Sequence, residues 1–301
     1  MPLTPEQQAE IDSQRATPRQ TLRAVSQGME NHLYVAHQVL DHGLVRVIDY
    51  MGDDAAICQA ARVSYGKGTK SVQNDEGLIR YLMRHWHSTP FEMCEVKFHV
   101  KLPVFVARQW IRHRTANVNE YSGRYSILDR EFYIPAPEHL AAQSSQNHQG
   151  RGEVLQGAEA QRVLDLLRED AMRSYDSYEA MLSQEGQQGL ARELARMNLP
   201  ANIYTQWYWK VDLHNLLHFL RLRADSHAQY EIRAYADIMC DITRDWVPAA
   251  FGAFQDYRMN AVNLSAQAAD ALRRRLAGEV VTQENAGMGA REWREFQAVW
   301  G

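Results

Sequence analysis

Glu95-Val96-Lys97-Phe98-His99-Val100-Lys101-Leu102 decides the fold. Val96, Phe98, Val100 and Leu102 occupy every second position, and charged or polar residues stand between them. A strict period of two makes a strand with one face on a core and one wetter face, the habit of antiparallel sheets; strands of parallel sheets, buried on both faces, run continuously apolar. An antiparallel sheet is therefore expected at the centre of the chain.

Working towards the N-terminus, the β-branched run Leu44-Val45-Arg46-Val47-Ile48 predicts a second strand and the start of regular structure. Residues 1–43, rich in Gln, Arg, Ser and Thr, read as an N-terminal extension with at most a short helix. Between the two strands, Asp53 or Asp54 is placed to cap a short helix through Ile57 and Ala61, and Asn74 or Asp75 to cap another. On that second helix Leu78, Leu82 and Trp86 fall one turn apart, flanked by Ile79 and Met83, and Pro90 ends the pattern.

Towards the C-terminus, Pro103 fits the first turn of a helix through Trp110 and Ile111, on which Arg108, Arg112 and Thr115 share a stripe. Residues 141–152 read as a low-complexity surface loop. A long helix then buries Val163, Leu167, Ala171, Tyr175, Tyr178 and Leu182, and a shorter one runs from about Gly189 to Met197. The aromatic run Tyr204 to Val211 favours strand over helix. Asp212 caps a helix His214–Arg223, and Ile232, Tyr235, Met239, Ile242 and Trp246 mark a last helix, ended by Val247-Pro248. The organisation expected is a central domain over 44–258 with a C-terminal extension over 259–301.

Composition narrows the function. With 45% hydrophobic and 23% charged residues, a net charge of -4 and a pI near 6.3, the chain has no global positive field for nucleic acid or an acidic membrane. Any attraction for phosphate must be local. The sequence has no apolar run of membrane-spanning length, and its first residues lack the layout of a signal peptide, so a cytoplasmic location is expected. Cys58, Cys94 and Cys240 are widely spaced, with no CxxC pair, and read as buried thiols.

Three polar clusters could carry chemistry. The first is Arg112 to Tyr125 with Arg108 and Gln109: five Lys or Arg between Lys101 and Tyr125 against one acid, Glu120. Guanidinium forks match phosphate oxygens in pairs, and turn N-H groups add donors; the plainer alternative is a solvated or salt-bridged face. The second, His85, His87, Ser88, Thr89 and Glu92, reads better as histidines on the last carbonyls of a helix than as a metal site. The third spans Asp212 to Glu231. His214 and His218 stand one turn apart, as a metal site could use, but without the accompanying Glu of metalloenzyme motifs. His214 and Arg223 project about 180° apart at about 100° per residue, so if both are functional they serve different ligands. A Gly-x-Ser-x-Gly elbow and a Gly-rich dinucleotide turn are both missing. From residues alone the reading is an enzyme for phosphorylated ligands. The rivals are a nucleic-acid module stacking on Trp207, Tyr208 and Trp209, and a metal hydrolase using His214 and His218.

Arg112-His113-Arg114, seven residues and then Ser122 resembles the signature of flavin-dependent thymidylate synthases. The likeness extends, in order, to Ala61-Arg62-Val63-Ser64, His87 to Glu92, Phe105 to Trp110, Asn119 to Tyr125 and Leu222 to Gln229. It implies an α+β fold, an antiparallel sheet packed with helices in a homotetramer whose active sites lie at subunit interfaces. The implied reaction is reductive methylation of dUMP to dTMP, with methylenetetrahydrofolate as carbon donor, FAD as hydride carrier, NADPH as reductant and no enzyme nucleophile. Neither a metal nor a nucleic-acid or membrane partner is implied. Carried across by position, Gln109, Arg112, Glu120, Ser122, Gly123, Arg124, Arg196 and Arg223 match the dUMP contacts. Ser64, Thr89, Arg112, His113, Arg114, Glu120, Asp212, His214 and His218 match the FAD contacts. Arg223 matches the catalytic position, its cation favouring an enolate-like pyrimidine nucleophilic at C5.

Overall fold

The alternation at Glu95–Pro103 becomes a central strand of an antiparallel sheet in this computed structural model, which describes residues 4–64, 75–144, 150–182 and 187–301. The strands are β1 (Ala36–Val39), β2 (Gly43–Met51), β3 (Glu95–Pro103), β4 (Asn117–Glu120), β5 (Ala141–Gln143), β6 (Arg151–Val154) and β7 (Tyr204–Asp212). The main sheet has the order β1-β2-β3-β7-β4, and β5 pairs with β6 separately. In the antiparallel register Phe98 faces Trp209, Val100 faces Trp207 and Val96 faces Val211. β4 then pairs with β7, Glu120 opposite Trp207.

The apolar face carries the core. Helices α3 (Asp54–Val63), α4 (Glu76–Arg84), α5 (Thr89–Glu92), α6 (Val104–Trp110), α9 (Leu213–Arg223), α10 (Tyr230–Trp246) and α11 (Pro248–Phe254) contribute to it. α7 (Gly157–Met181) and α8 (Arg192–Ala195) meet in a smaller cluster built on Tyr175, Tyr178 and Ala195. Trp110 is the hub of the main core: its ring lies 4.6 Å from that of Phe219 and 5.3 Å, edge to face, from that of Trp209. Burying such rings stabilises by about 2–3 kcal/mol each, with up to about 1 kcal/mol more for offset or edge-on geometry. The opposite face of β3 is a hydrogen-bonded polar layer rather than open water. His99 bonds Gln206 Oε1 and Arg46, both at 2.8 Å, and Lys210 reaches Glu95 at 3.1 Å.

Several expectations give way to packing. Regular structure begins well before Leu44: α1 (Pro5–Arg15) and α2 (Gln27–His32) form, and β1 pairs with β2. Met29 is fully buried in the main core, so much of the presumed extension is part of the fold. α4 opens on Asp75, whose carboxylate accepts from Leu78 N-H, and closes at Arg84; Asn74, the other candidate cap, lies outside the described residues. Its buried stripe is Ile79, Leu82 and Met83, while Trp86 is 64% exposed in a left-handed conformation at φ +62°. α6 stops at Trp110, so Arg112 and Thr115 do not continue the stripe of Arg108. Residues 141–152, read as a loop, supply β5 and the start of β6; 145–149 lie outside the described residues. Leu167 is 38% exposed, and the α7 stripe runs instead through Ala160, Leu164, Ala171, Tyr175 and Tyr178.

By backbone contacts the chain divides into Met1–Met259 and Asn260–Gly301. The second unit, the expected C-terminal extension, holds α12 (Ala266–Leu276), α13 (Gln283–Ala286) and α14 (Ala290–Trp300) around Ala271, Met288 and Phe296.

Asp54 is the buried polar keystone of the first unit. It is 5% exposed, and its two carboxylate oxygens accept from Ala249 and Ala250 N-H at 2.8 and 2.9 Å, capping α11 from a different element. Asp54→Ala leaves the buried Ala250 N-H and the part-buried Ala249 N-H unpaired, and is expected to lower stability by about 2–3 kcal/mol, read as a lower urea midpoint at unchanged slope.

Candidate functional site

β7 ends on Asp212, and the same residue starts α9. Its carboxylate accepts from the backbone N-H of Asn215 at 2.9 Å and from the Asn215 side chain at 2.8 Å, fixing where the helix begins. With that start set, His214, Leu217, His218 and Arg221 fall at i, i+3, i+4 and i+7, and all four line one open cleft. Phe254 and Phe91 add apolar wall, and Trp86, His87 and Ser88 form the facing turn. Arg258 completes the lining from a π-helical segment, Gln255–Met259, that continues α11.

Arg223 leaves α9 on the other side, as the helical spacing requires. Its Nε-H donates to His113 Nε2 at 3.1 Å, and its terminal nitrogen donates to the Gln109 carbonyl at 3.4 Å. The His113 ring stands 5.0 Å from Phe219 and 5.9 Å from His218. Burial first, then the Arg223 cation and His218, push the His113 pKa down to about 4, so the ring is a neutral acceptor. Burial, with Arg112 nearby, also lowers the pKa of Arg223. Gln109 is held in turn by Gln229, which donates to Glu231 at 2.8 Å. Glu231 is only 2% exposed and accepts from Arg151 at 2.6 Å and from Tyr133 at 2.9 Å. Hydrogen bonding and charge from Arg151 outweigh burial, and its carboxyl stays below the usual range.

A second group gathers beside α8. Gly123 is buried against Leu128 and the Arg196 side chain, where an added Cβ would sit 3.3–3.4 Å from both. Arg124 pairs with Glu193 at 3.1 Å, and Ser122 Oγ accepts from Arg124 N-H at 3.3 Å. Glu120, on exposed β4, accepts from the Thr205 hydroxyl at 2.8 Å.

The expected site residues thus fall into sets. Gln109, Arg112, His113, His218 and Arg223 surround one point, and His214 joins His218 along the cleft. Gly123, Arg124 and Arg196 share the other group, near Ser122. Ser64 ends α3 and Thr89 begins α5 beside Ser88; both are exposed, as is Arg114. Asp212 serves the helix start. Arg221, Arg258 and Trp86 went unassigned. The spacing of Arg221 from His214 and His218 was a usable signal, whereas Arg258 reaches the cleft only through the packing of α11 on α4. Among the described residues no three His, Cys, Asp or Glu are grouped to hold a metal ion.

Residues 46–249 match the family model described as thymidylate synthase complementing protein. A flavin-dependent thymidylate synthase of Ruegeria pomeroyi is 79% identical over 301 residues, the whole of both chains. The chain belongs to the flavin-dependent thymidylate synthase family. The family member from Gluconobacter oxydans is 65% identical over 299 residues, covering 99% of this chain and 98% of its own. Among solved structures, the UMP/dUMP methylase PolB from Streptomyces cacaoi bound with 5-Br dUMP superposes with a TM-score of 0.66 at 29% identity, covering 74% of this chain and 99% of its own. The family match ends before Phe254 and Arg258, two of the residues lining the cleft.

The burial of His113, with the Arg223 cation against it, sets a pH dependence. An unfolded imidazole titrates near 6.5 and this one near 4, so its contribution to stability is complete above about 6.5 and is lost as pH falls towards 4. The His113 resonances in an NMR titration are expected to show a midpoint near 4. Arg223→Gln removes the cation and moves that midpoint upward; a His113 that titrates near 6.5 in the unaltered protein contradicts the contact.

Proposed function

We infer that the chain methylates dUMP reductively to dTMP, taking the carbon from methylenetetrahydrofolate and the reducing equivalents from NADPH through FAD. The observation that carries this is a half-buried guanidinium, Arg223, held against a neutral His113 whose ring stands 5.9 Å from that of the cleft-lining His218, in a chain of the flavin-dependent thymidylate synthase family.

The cleft fits a flavin by the chemistry of its lining. Apolar walls suit a planar ring, and imidazoles, a hydroxyl and guanidiniums supply donors for its carbonyls and phosphates. When bound, FAD supplies the hydride that reduces the transferred carbon. The protein's part is placement and charge. His113, His214 and His218 would hold the flavin, with Ser64, Thr89, Arg112, Arg114 and Glu120 as further contacts, and Asp212 acts by fixing the start of α9. Gln109, Arg112, Glu120, Ser122, Gly123, Arg124, Arg196 and Arg223 hold dUMP. Arg223 favours negative charge on the pyrimidine oxygen, raising electron density at C5, the atom that forms the new carbon–carbon bond. No thiol is available to attack C6 instead. All three cysteines are buried, and burial holds the pKa of Cys94 and Cys240 up at about 12.

The separate Gly123–Arg124–Arg196 and His113–Arg223 groups, with exposed Arg114 and β4, support a homotetramer in which one subunit's nucleotide contacts complete another's flavin cleft. A cytoplasmic enzyme fits this activity, and among the described residues no helix is long and apolar enough to cross a membrane.

The purified protein is expected to be yellow, and its reduced flavin to reoxidise in a dUMP-dependent way when methylenetetrahydrofolate is supplied. Arg223→Ala is expected to lower dTMP formation by about a hundredfold or more while retaining FAD, as visible absorbance reports. Equal loss of flavin and activity assigns Arg223 to the wrong ligand. Light scattering is expected to give the mass of four chains, and a monomer with full activity rules out shared sites.

A further inference from the structure

The α4 wall of the cleft is built in an unusual way. His85 is the C-cap of α4; Trp86 N-H bonds the Met83 carbonyl at 3.4 Å and His87 N-H bonds the Leu82 carbonyl at 3.0 Å. This is the paired closure of a Schellman motif, whose left-handed residue is usually glycine. Here it is tryptophan at φ +62°, a conformation strained for a residue with a side chain. The motif itself gives no reason for an indole.

The surroundings supply one. Arg258 lies flat on the Trp86 ring, its guanidinium carbon 3.4 Å from the ring centroid, and also bonds the Met83 carbonyl. The ring remains 64% exposed beside the cleft. Arg221 approaches from α9, close enough that the two cations disfavour each other, and among the described residues neither forms an ion pair. Two guanidiniums facing one apolar cleft without a carboxylate are a site for a multiply charged anion, and phosphate oxygens fit their forks.

Building on the function inferred above, we propose that Trp86, Arg221 and Arg258 form a dinucleotide subsite, with the guanidiniums on the diphosphate and the indole stacked on the adenine. Adenine and diphosphate are common to FAD and NADPH, so the subsite serves one of these two. Arg258 and Trp86 act as a pair: the cation holds the ring in its strained pose, and the ring keeps the cation at the cleft.

The test uses the full-length flavoprotein and two variants. Trp86→Gly suits the left-handed position and keeps the helix end, so it removes the indole without a folding penalty. Arg221→Gln with Arg258→Gln removes both cations. Binding is read directly, FAD by recovery of its fluorescence on release and NADP⁺ by calorimetric titration, alongside dUMP binding and dTMP formation. Both variants are expected to weaken one of the two dinucleotides by about tenfold or more, with dUMP affinity unchanged. Weaker FAD retention assigns the subsite to the flavin, and weaker NADP⁺ binding at full flavin content assigns it to the reductant. Unaltered affinity for both, or a loss confined to dUMP or the folate, overturns the proposal. If the unaltered protein makes no dTMP yet the variants still lose a dinucleotide, the subsite stands and the inferred reaction falls.

Discussion

The pairing of β7 between β3 and β4 is the constraint on which the rest of the structure depends. In one direction it sets Trp207 and Trp209 against Val100 and Phe98, beneath Trp110 and Phe219. In the other it places Glu120 beside Thr205 through β4. Because β7 runs without a break into the Asp212 cap, its register also sets the rotation of α9. A slip of one residue would turn the tryptophans outward and carry His214, His218 and Arg223 away from their partners. Core packing and site geometry are thus one decision rather than two.

The parts legible in the sequence were those governed by local physics. The period of two in β3, the Asp53, Asp75 and Asp212 caps, and the +3 and +4 spacing from Ile232 to Trp246 all appear where residue chemistry put them. The opposed directions of His214 and Arg223 were likewise a matter of helix geometry. Features decided by contacts distant in sequence were hidden. β1 has little strand propensity of its own and exists because β2 offers an edge, and α2 is short but anchored by Met29. Local pattern placed Trp86 on the buried stripe of α4, whereas a closure two residues earlier swung it out to the cleft. The division of the site residues into two groups was equally invisible, since Arg112 and Arg124 are near in sequence but turn towards different neighbours.

Buried polar groups do organising work that apolar packing cannot. Asp54 caps α11, and Glu231 ties the β5–β6 side of the molecule to Gln109. Each has more than one donor, the condition under which a buried carboxylate is compatible with a stable fold. Glu231 has the widest reach, because Gln229 passes its position on to Gln109, one residue of the site itself.

The bond from Arg223 to His113 reaches beyond the pair. An imidazole whose Nε2 accepts a proton-bearing nitrogen must carry its own proton on Nδ1. With one nitrogen occupied and the other a donor, the ring has no lone pair to offer, and Arg223 beside it has none either. The pair speaks with a single sign: an arriving group makes a hydrogen bond to it only if it brings the lone pair. Carbonyl oxygens and unprotonated ring nitrogens are accepted, and N-H edges are turned away. A preference for the acceptor edge of a heterocycle over its donor edge is therefore written into one tautomer.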